Sequence, residues 1–397
     1  MLLLQIIFLS TLATPTIGAN RGPAGAGPTP DADEPREISW YSGTYESATL
    51  EAGRRGKPLL VYFWMDGSEH CTRLFQDTLQ KPEAAQALRD YIVFSAKATE
   101  PSGAQLVQRF GIRTLPTMLF LRPDGSPDEA ILGNMALTQF VPEVQRIQTG
   151  QDTISDLRRR LQLNPGDLDL RFKLADKLQF VGAATESQGL IDSIKRDDPK
   201  GKTVIAAQLL LYDVMGVITG SASDASDPAT YDLKPMYTHL PSVQPEPVLF
   251  EGWQWVATIE GQRGKRTERR RALMKSWPHT AQNFQMNWGR ELVGNFWDMR
   301  SELTKKEKLF AVKVAELAAN RAVELMGMEE PPPAMLGEGF VDDPKGFVAD
   351  QLDGLACAYY MNGKRRKALE TSRRSLELDP NVPAHQAFLD HFENREK

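Results

Sequence analysis

Residues 59–65 read Leu-Leu-Val-Tyr-Phe-Trp-Met, an unbroken apolar run rich in β-branched and aromatic side chains. That pattern predicts a strand buried on both faces. Asp66-Gly67 then turns the chain, and Ser68 to Leu79 has helical spacing with Ser68 as its N-cap. Upstream, Thr44 to Gly56 predicts a helix with acids early and Arg54-Arg55 late, as the helix dipole favours. Downstream, Tyr91 to Phe94 predicts a second buried strand and Ala104 to Phe110 a short helix. Met118 to Leu121 predicts a strand that enters a hairpin at Asp124-Gly125, and Phe140 to Ile147 a closing helix.

From Thr153 onward the pattern is helical without strands. Leu174, Ala175, Leu178, Gly182 and Pro199 recur as Leu355, Ala356, Tyr359, Gly363 and Pro380, each 181 positions later. Pro165 and Pro199 lie 34 apart. Small Ala lets two helices approach, Gly ends the first and Pro stops the second. Ser187 and Ser372 depart from this pattern, where Ala and a bulky residue are expected. Between the two units, 203–217, 250–259, 266–276, 281–299 and 305–326 predict helices, and 221–247 a long connection. The likeness of period and positions resembles the tetratricopeptide repeat.

Met1 to Ala19 is apolar, uncharged and ends in small residues. It resembles a secretory signal peptide cut after Ala19, with an uncleaved anchor as the alternative. Asn20 to Pro35 is rich in Gly, Pro, Ala and Asp, which predicts a disordered tether. No other run of about 18 apolar residues is counted. The expected plan is a signal over 1–19, a linker over 20–35, an α/β domain over 36–150 and an all-α helical domain over 151–397. The chain has 397 residues, 41% of them hydrophobic and 25% charged, as in a soluble globular protein. A net charge of −5 argues against nucleic acid as a partner. Two cysteines and five unclustered histidines give neither a disulfide scaffold nor a metal site, and no cofactor is expected.

The run into Ser68-Glu69-His70-Cys71 resembles the active-site segment of thioredoxins, with the x-His-Cys ending of the disulfide isomerase branch. Gly111-Ile112-Arg113-Thr114-Leu115-Pro116-Thr117 resembles that family's cis-proline loop. The resemblance covers about Ile38 to Ile147 and implies a thioredoxin-like α/β fold. It also marks departures. Ser68 stands where the family's nucleophilic Cys would be, and only the second, resolving Cys remains, as Cys71. Tyr62 stands at the position of the buried proton-accepting Asp, and Gly67 at that of a Trp. Exchange needs an exposed thiolate and a resolving thiol, and a Ser hydroxyl replaces neither.

Cys71 is the candidate catalytic residue, because a helix start stabilises a thiolate. The bland reading is a buried, inert thiol. A Cys71–Cys357 disulfide is a further alternative, and Cys357 alone reads as helix-packing filler. Glu69 and His70 read as exposed polar residues at a helix start. Arg269 and Arg270 lie in a basic run and Trp253 in a Trp-rich helical stretch. With Leu115 they are candidates to bind a partner; a solvated helix face and core packing are the alternatives. The expected function is that of an exported, non-catalytic binding or scaffold protein of the cell envelope. Its partners are proteins or peptides, with no membrane span after signal cleavage. The enzyme-class alternative is a one-Cys thiol-disulfide oxidoreductase using Cys71.

Overall fold

The computed structural model describes residues 37–332, 335–336 and 339–394. The expected signal and linker, over 1–19 and 20–35, lie outside the described residues. Contacts divide the chain into two compact units at Pro199.

The first unit opens with α1 (Tyr45–Arg55), capped by Thr44, whose hydroxyl accepts from Ser47 N, and ended by Gly56 at φ +62°. Strand β1 (Leu59–Trp64) follows, then α2 (Glu69–Arg73), which widens into a π-helical turn over Leu74–Leu79. The sequence pattern predicts one continuous helix here. In the widened turn Thr78 is buried and its hydroxyl donates to Met135 O at 2.7 Å. Helix α3 (Pro82–Ala87), β2 (Ile92–Lys97), α4 (Pro101–Arg109), β3 (Thr117–Leu121), β4 (Pro127–Leu132) and α5 (Leu137–Gln148) complete an α/β layer.

The sheet order is β2-β1-β3-β4. β1 pairs parallel with β2 and antiparallel with β3, and β3 pairs antiparallel with β4. Alternation along β1 sends side chains to two cores. Leu59, Val61 and Phe63 pack with Tyr45, Leu106 and Phe110 on one face. Leu60 and Tyr62 pack with Leu74, Leu79 and Phe140 on the other. A run buried on both faces is what the unbroken apolar pattern predicts.

The first core does not stop at residue 150. It takes in Ile154 and Leu157 of α6 (Ile154–Leu163) and Leu170, Leu174 and Leu178 of α7 (Leu168–Phe180). Each of these side chains contributes about 2 kcal/mol of burial. Helices α6, α7 and α8 (Ala184–Asp197) therefore belong to the compact unit of the sheet, although sequence pattern groups them with the helices beyond. Polar contacts add to the attachment. Glu129 on β4 is buried and its carboxylate meets Arg146 of α5 at 2.6 Å and Lys177 of α7 at 2.5 Å. Asp128 accepts from the Ser155 backbone at 2.8 Å.

Among its described residues the second unit has helices and no strand: α9 (Val204–Ser221), α10 (Lys234–His239), α11 (Glu246–Gln262), α12 (Arg266–Ser276), α13 (Gln285–Asp298), α14 (Lys305–Met326), α15 (Pro344–Met361), α16 (Arg365–Leu378) and α17 (Pro383–Glu393). Helix α10 lies within the stretch that sequence pattern reads as a plain connection. Helix α9 is long and apolar enough to cross a membrane by length and composition. Its length corrects the expectation that no further run of that kind exists. In this unit α9 packs on α11, where Gln208 donates to Glu251 at 2.5 Å.

Three helices, α6, α8 and α16, end alike. Asn164, Asp198 and Asp379 have φ/ψ of −132°/69°, −130°/71° and −137°/83°. Each is followed by Pro, which bars its predecessor from helical backbone. Each N–H still reaches the carbonyl four residues back, at 3.0–3.1 Å. Gly182 and Gly363 take positive φ, +81° and +73°, in the turns between α7 and α8 and between α15 and α16.

Candidate functional site

The sheet register places the candidate site. Phe63 pairs with Thr117, so Pro116 sits at the end of β1, where the chain leaves for the 65–68 turn. The Leu115–Pro116 peptide is cis. Pro116 is buried, and its carbonyl accepts from Gly133 N at 2.8 Å. Leu115 is half-buried beside it. Thr117 Oγ1 closes the loop on Thr114 O at 2.7 Å.

Ser68 caps α2. Its backbone is extended, φ −84° and ψ 114°, and its Oγ accepts from Cys71 N at 3.3 Å. A Ser at an N-cap satisfies an otherwise orphaned N–H. Cys71, one turn on, is 3% exposed. Cys71 and Cys357 are both buried free thiols. Burial pushes the Cys357 thiol far above its ordinary value, with Asp353 adding to the shift.

Tyr62 lies beneath α2. Its hydroxyl donates to Cys71 O at 3.4 Å, and Trp40 leans on its ring with centroids 5.9 Å apart. Burial, then the proximity of Cys71, pushes the phenol far above its ordinary pKa. The group nearest the buried cysteine on β1 is therefore a neutral phenol, not a carboxylate. Glu69 and His70 are exposed, and Glu69 pairs with Arg73 one turn on. The 65–67 turn is held from the neighbouring strand. Lys97 Nζ meets Asp66 at 2.6 Å and lies 5.4 Å over the Trp64 ring, and Trp64 Nε1 donates to Ser95 Oγ at 2.8 Å.

The residues expected to bind a partner from the helical part belong to the second unit. Trp253 is buried under Lys275, whose Nζ stands 4.2 Å from the ring. Arg270 is buried too, paired with Glu307 at 2.9 Å and Glu302 at 3.3 Å. Arg269 is half-buried and bonds Asn295. Trp253 thus follows its core-packing alternative, whereas Arg270 follows neither reading of the basic run: it is buried in an internal ion pair, not on a solvated face. Among the described residues no group of three or more His, Cys, Asp or Glu is placed to hold a metal ion.

One contact at this site was not readable from the sequence. Gly111, at the start of the Pro116 loop, has φ +60°, and a Cβ there would lie 3.1 Å from Gly182 Cα. A Cβ on Gly182 would lie 2.7 Å from Phe110 O. The α7–α8 turn thus rests backbone-on-backbone against the loop that leads to Pro116. Each glycine alone reads as a turn residue; only the fold brings them together.

Comparison with known proteins agrees with this geometry. The thioredoxin-like domain family matches residues 45–148. A thioredoxin-like protein, HCF164, chloroplastic, from Oryza sativa subsp. japonica is 24% identical over 108 residues, 27% of this chain and 40% of that protein. The thiol:disulfide interchange protein DsbD of Photorhabdus laumondii is 28% identical over 95 residues, 23% of this chain and 16% of that protein. The chain thus spans well under two thirds of either relative. Among solved structures, a thioredoxin from Thermus thermophilus is 23% identical with TM-score 0.26, covering 28% of this chain and 87% of that one. A DsbH oxidoreductase is 12% identical with TM-score 0.27, covering 32% and 94%. Residues 45–148 are a thioredoxin-like domain.

Proposed function

We propose that this chain is an exported binding protein whose thioredoxin-like domain has lost disulfide exchange and holds extended peptide beside the Pro116 loop. A tetratricopeptide-like helical array would bind a second protein partner. The observation that carries the first part is the state of the Ser68–Cys71 segment. The Ser68 hydroxyl is engaged as a cap, and the segment's one thiol is 3% exposed, above a neutral phenol. Exchange requires a thiolate that a disulfide can reach and a second thiol to resolve the adduct. The three Asx-Pro helix ends and the paired turn glycines support a repeat array. Export rests on the apolar first nineteen residues.

The name of one relative, a thiol:disulfide interchange protein, is the ground for a second reading, a one-Cys thiol-disulfide oxidoreductase that uses Cys71. Insulin reduction with dithiothreitol separates the two. The binding reading expects the rate of the wild-type protein to equal that of Cys71→Ala. Turnover that vanishes in Cys71→Ala establishes the oxidoreductase instead.

A further inference from the structure

In the second unit, α13, α15 and α17 enclose a half-open cavity of about 960 Å³. We infer that this cavity is the binding site for an extended peptide segment carrying a basic side chain. The inference rests on the reading of the helical array as a binding surface and supplies the chemistry of what it binds.

Charge comes first. Glu291, Asp298, Asp343, Asp350, Asp353 and Asp379 line the cavity, against Arg290 and His385. Arg290 is already paired with Asp350 at 2.8 Å. Two of the acids converge at the start of α15. A Cβ on Gly346 would lie 2.1 Å from Asp343 Oδ2 and 3.2 Å from Asp379 Oδ2. Among the described ion pairs Asp343 has no cation, and Asp379 has only His385 Nε2 at 4.0 Å. Among the described residues Asp343 otherwise accepts only from Gly346 N, as the cap of α15, and acids brought together with so little counter-charge favour a cationic guest. The described acids form no group able to hold a metal, so the cation is one on a flexible stem.

Unpartnered polar atoms are the second observation. Gln351 and Asp353 both line the cavity and are 2% and 5% exposed. Gln351 Nε2 and Asp353 Oδ1 have no hydrogen-bond partner, although Asp353 Oδ2 meets His385 Nδ1 at 2.5 Å. A buried group left unpaired costs on the order of 1–3 kcal/mol. One is a donor that needs an acceptor, and the other an acceptor that needs a donor. Both atoms are themselves enclosed, so a guest meets them once the Gln351 and Asp353 side chains turn into the cavity; a peptide then supplies both, a carbonyl and an N–H or ammonium. A simple polyamine supplies only the donor.

Space is the third. Gly294 and Gly354 lie inside α13 and α15, where Gly costs about 1 kcal/mol relative to Ala. A Cβ at either position would meet nothing within 4 Å, so close helix packing does not explain them. Both line the cavity and keep it open. Phe347 and Phe388 add apolar surface for the stem of a long basic side chain.

The test is calorimetric titration of the full chain with an octapeptide of alternating lysine and alanine, blocked at both ends. A glutamate–alanine octapeptide and spermine are the other two probes. The lysine peptide is expected to bind more tightly than either. The double variant Asp343→Asn/Asp379→Asn should weaken it by about tenfold or more; Asn keeps the cap of α15 at position 343. Gly354→Leu should abolish binding without lowering helicity or melting temperature, since Leu replaces a glycine inside a helix and its Cβ meets nothing within 4 Å. Binding of the glutamate peptide alone, lost in Gly354→Leu, overturns the basic-partner inference but keeps the array as a binding surface. Spermine binding as tight as the lysine peptide overturns the peptide assignment. Lysine-peptide binding that persists in Gly354→Leu overturns the cavity as its site. No heat with any probe overturns both the inference and the array reading, whereas the insulin assay bears only on the thioredoxin-like domain.

Discussion

The α7–α8 and α15–α16 hairpins share a backbone plan and differ in what surrounds them. Both turn at a glycine of positive φ, and both end at an Asp-Pro step with nearly equal dihedrals. The residues before the second helices, Ala183 and Lys364, also match, at φ/ψ −90°/44° and −88°/54°. Yet α7 is closed against the sheet by Leu170, Leu174 and Leu178, whereas α15 leaves Gln351, Asp353 and Gly354 lining an open cavity. At the turns, a Cβ on Gly182 would meet the backbone of Phe110, and one on Gly363 would meet nothing within 4 Å. Local signals therefore set the hairpin, and a few side chains along the first helix decide whether it becomes wall or groove.

The turn glycines give the largest separation. Gly182→Ala adds left-handed strain of about 1–2 kcal/mol and a Cβ 2.7 Å from a backbone oxygen, so a total loss of about 3 kcal/mol is expected. Gly363→Ala adds the strain alone, about 1 kcal/mol. Each unit carries one buried cysteine, Cys71 or Cys357. A methyl methanethiosulfonate pulse across a urea series, read by mass spectrometry, therefore follows each unit by its own thiol. Equal midpoint shifts in the two variants would show that the Gly111–Gly182 contact does not support the first unit.

Much of the hairpin plan was legible beforehand, because Pro and Gly act through local backbone geometry. The β1 run and the Ser68–Pro116 separation likewise carried the α/β domain and its candidate site. The attachment of α6–α8 to the sheet was not legible. Leu170, Leu174 and Leu178 have the spacing of any amphipathic helix, and spacing does not say which surface they meet. Nor did it show that the Ser187 departure is absorbed by a backbone carbonyl, or that Trp253 and Arg270 are used up internally. Burial and partner choice are non-local, and a single residue string carries them weakly.

Acid separates the regions next, with opposite signs. Arg146 holds the Glu143 carboxyl below its ordinary value. That stabilisation is complete above the ordinary carboxylate pKa of about 4.3 and is lost as pH falls through the lowered folded value. Burial holds the Asp353 carboxyl above its ordinary value, opposed by its hydrogen bonds to His385 and Ser375. Its contribution is complete below the ordinary value of about 3.9 and is lost as pH rises through the raised folded value. As pH falls from about 6 to about 3, the Glu143 term should destabilise the first unit, and Arg146→Met should remove that acid response. Arg146→Met also costs about 2 kcal/mol at neutral pH, because buried Glu129 keeps only Lys177. Asp353→Asn should remove the opposite trend from the second unit. The same thiol pulse reads both, and a first-unit acid response that survives Arg146→Met would assign it elsewhere.

The smallest expected effect is the most specific check on the shared plan. Ser187 of α8 is buried, and its Oγ donates to Ala175 O of α7 at 2.6 Å. The position 181 later is Ala368, also fully buried, and the counterpart of Ala175 is Ala356. If the two hairpins superpose at this depth, a hydroxyl at 368 meets the Ala356 carbonyl just as Ser187 meets Ala175. A buried hydroxyl without an acceptor costs on the order of 1–3 kcal/mol, while one that finds its carbonyl is close to neutral. Ala368→Ser should therefore change stability by less than about 1 kcal/mol, and Ser187→Ala by a similar amount, since the Ala175 carbonyl lies inside a helix and keeps its helical partner. Urea midpoints read through Cys357 for the first variant and Cys71 for the second measure this. A loss above about 2 kcal/mol for Ala368→Ser would mean that the hydroxyl finds no acceptor. The two hairpins would then agree in their caps and turns but not in the packing between their helices.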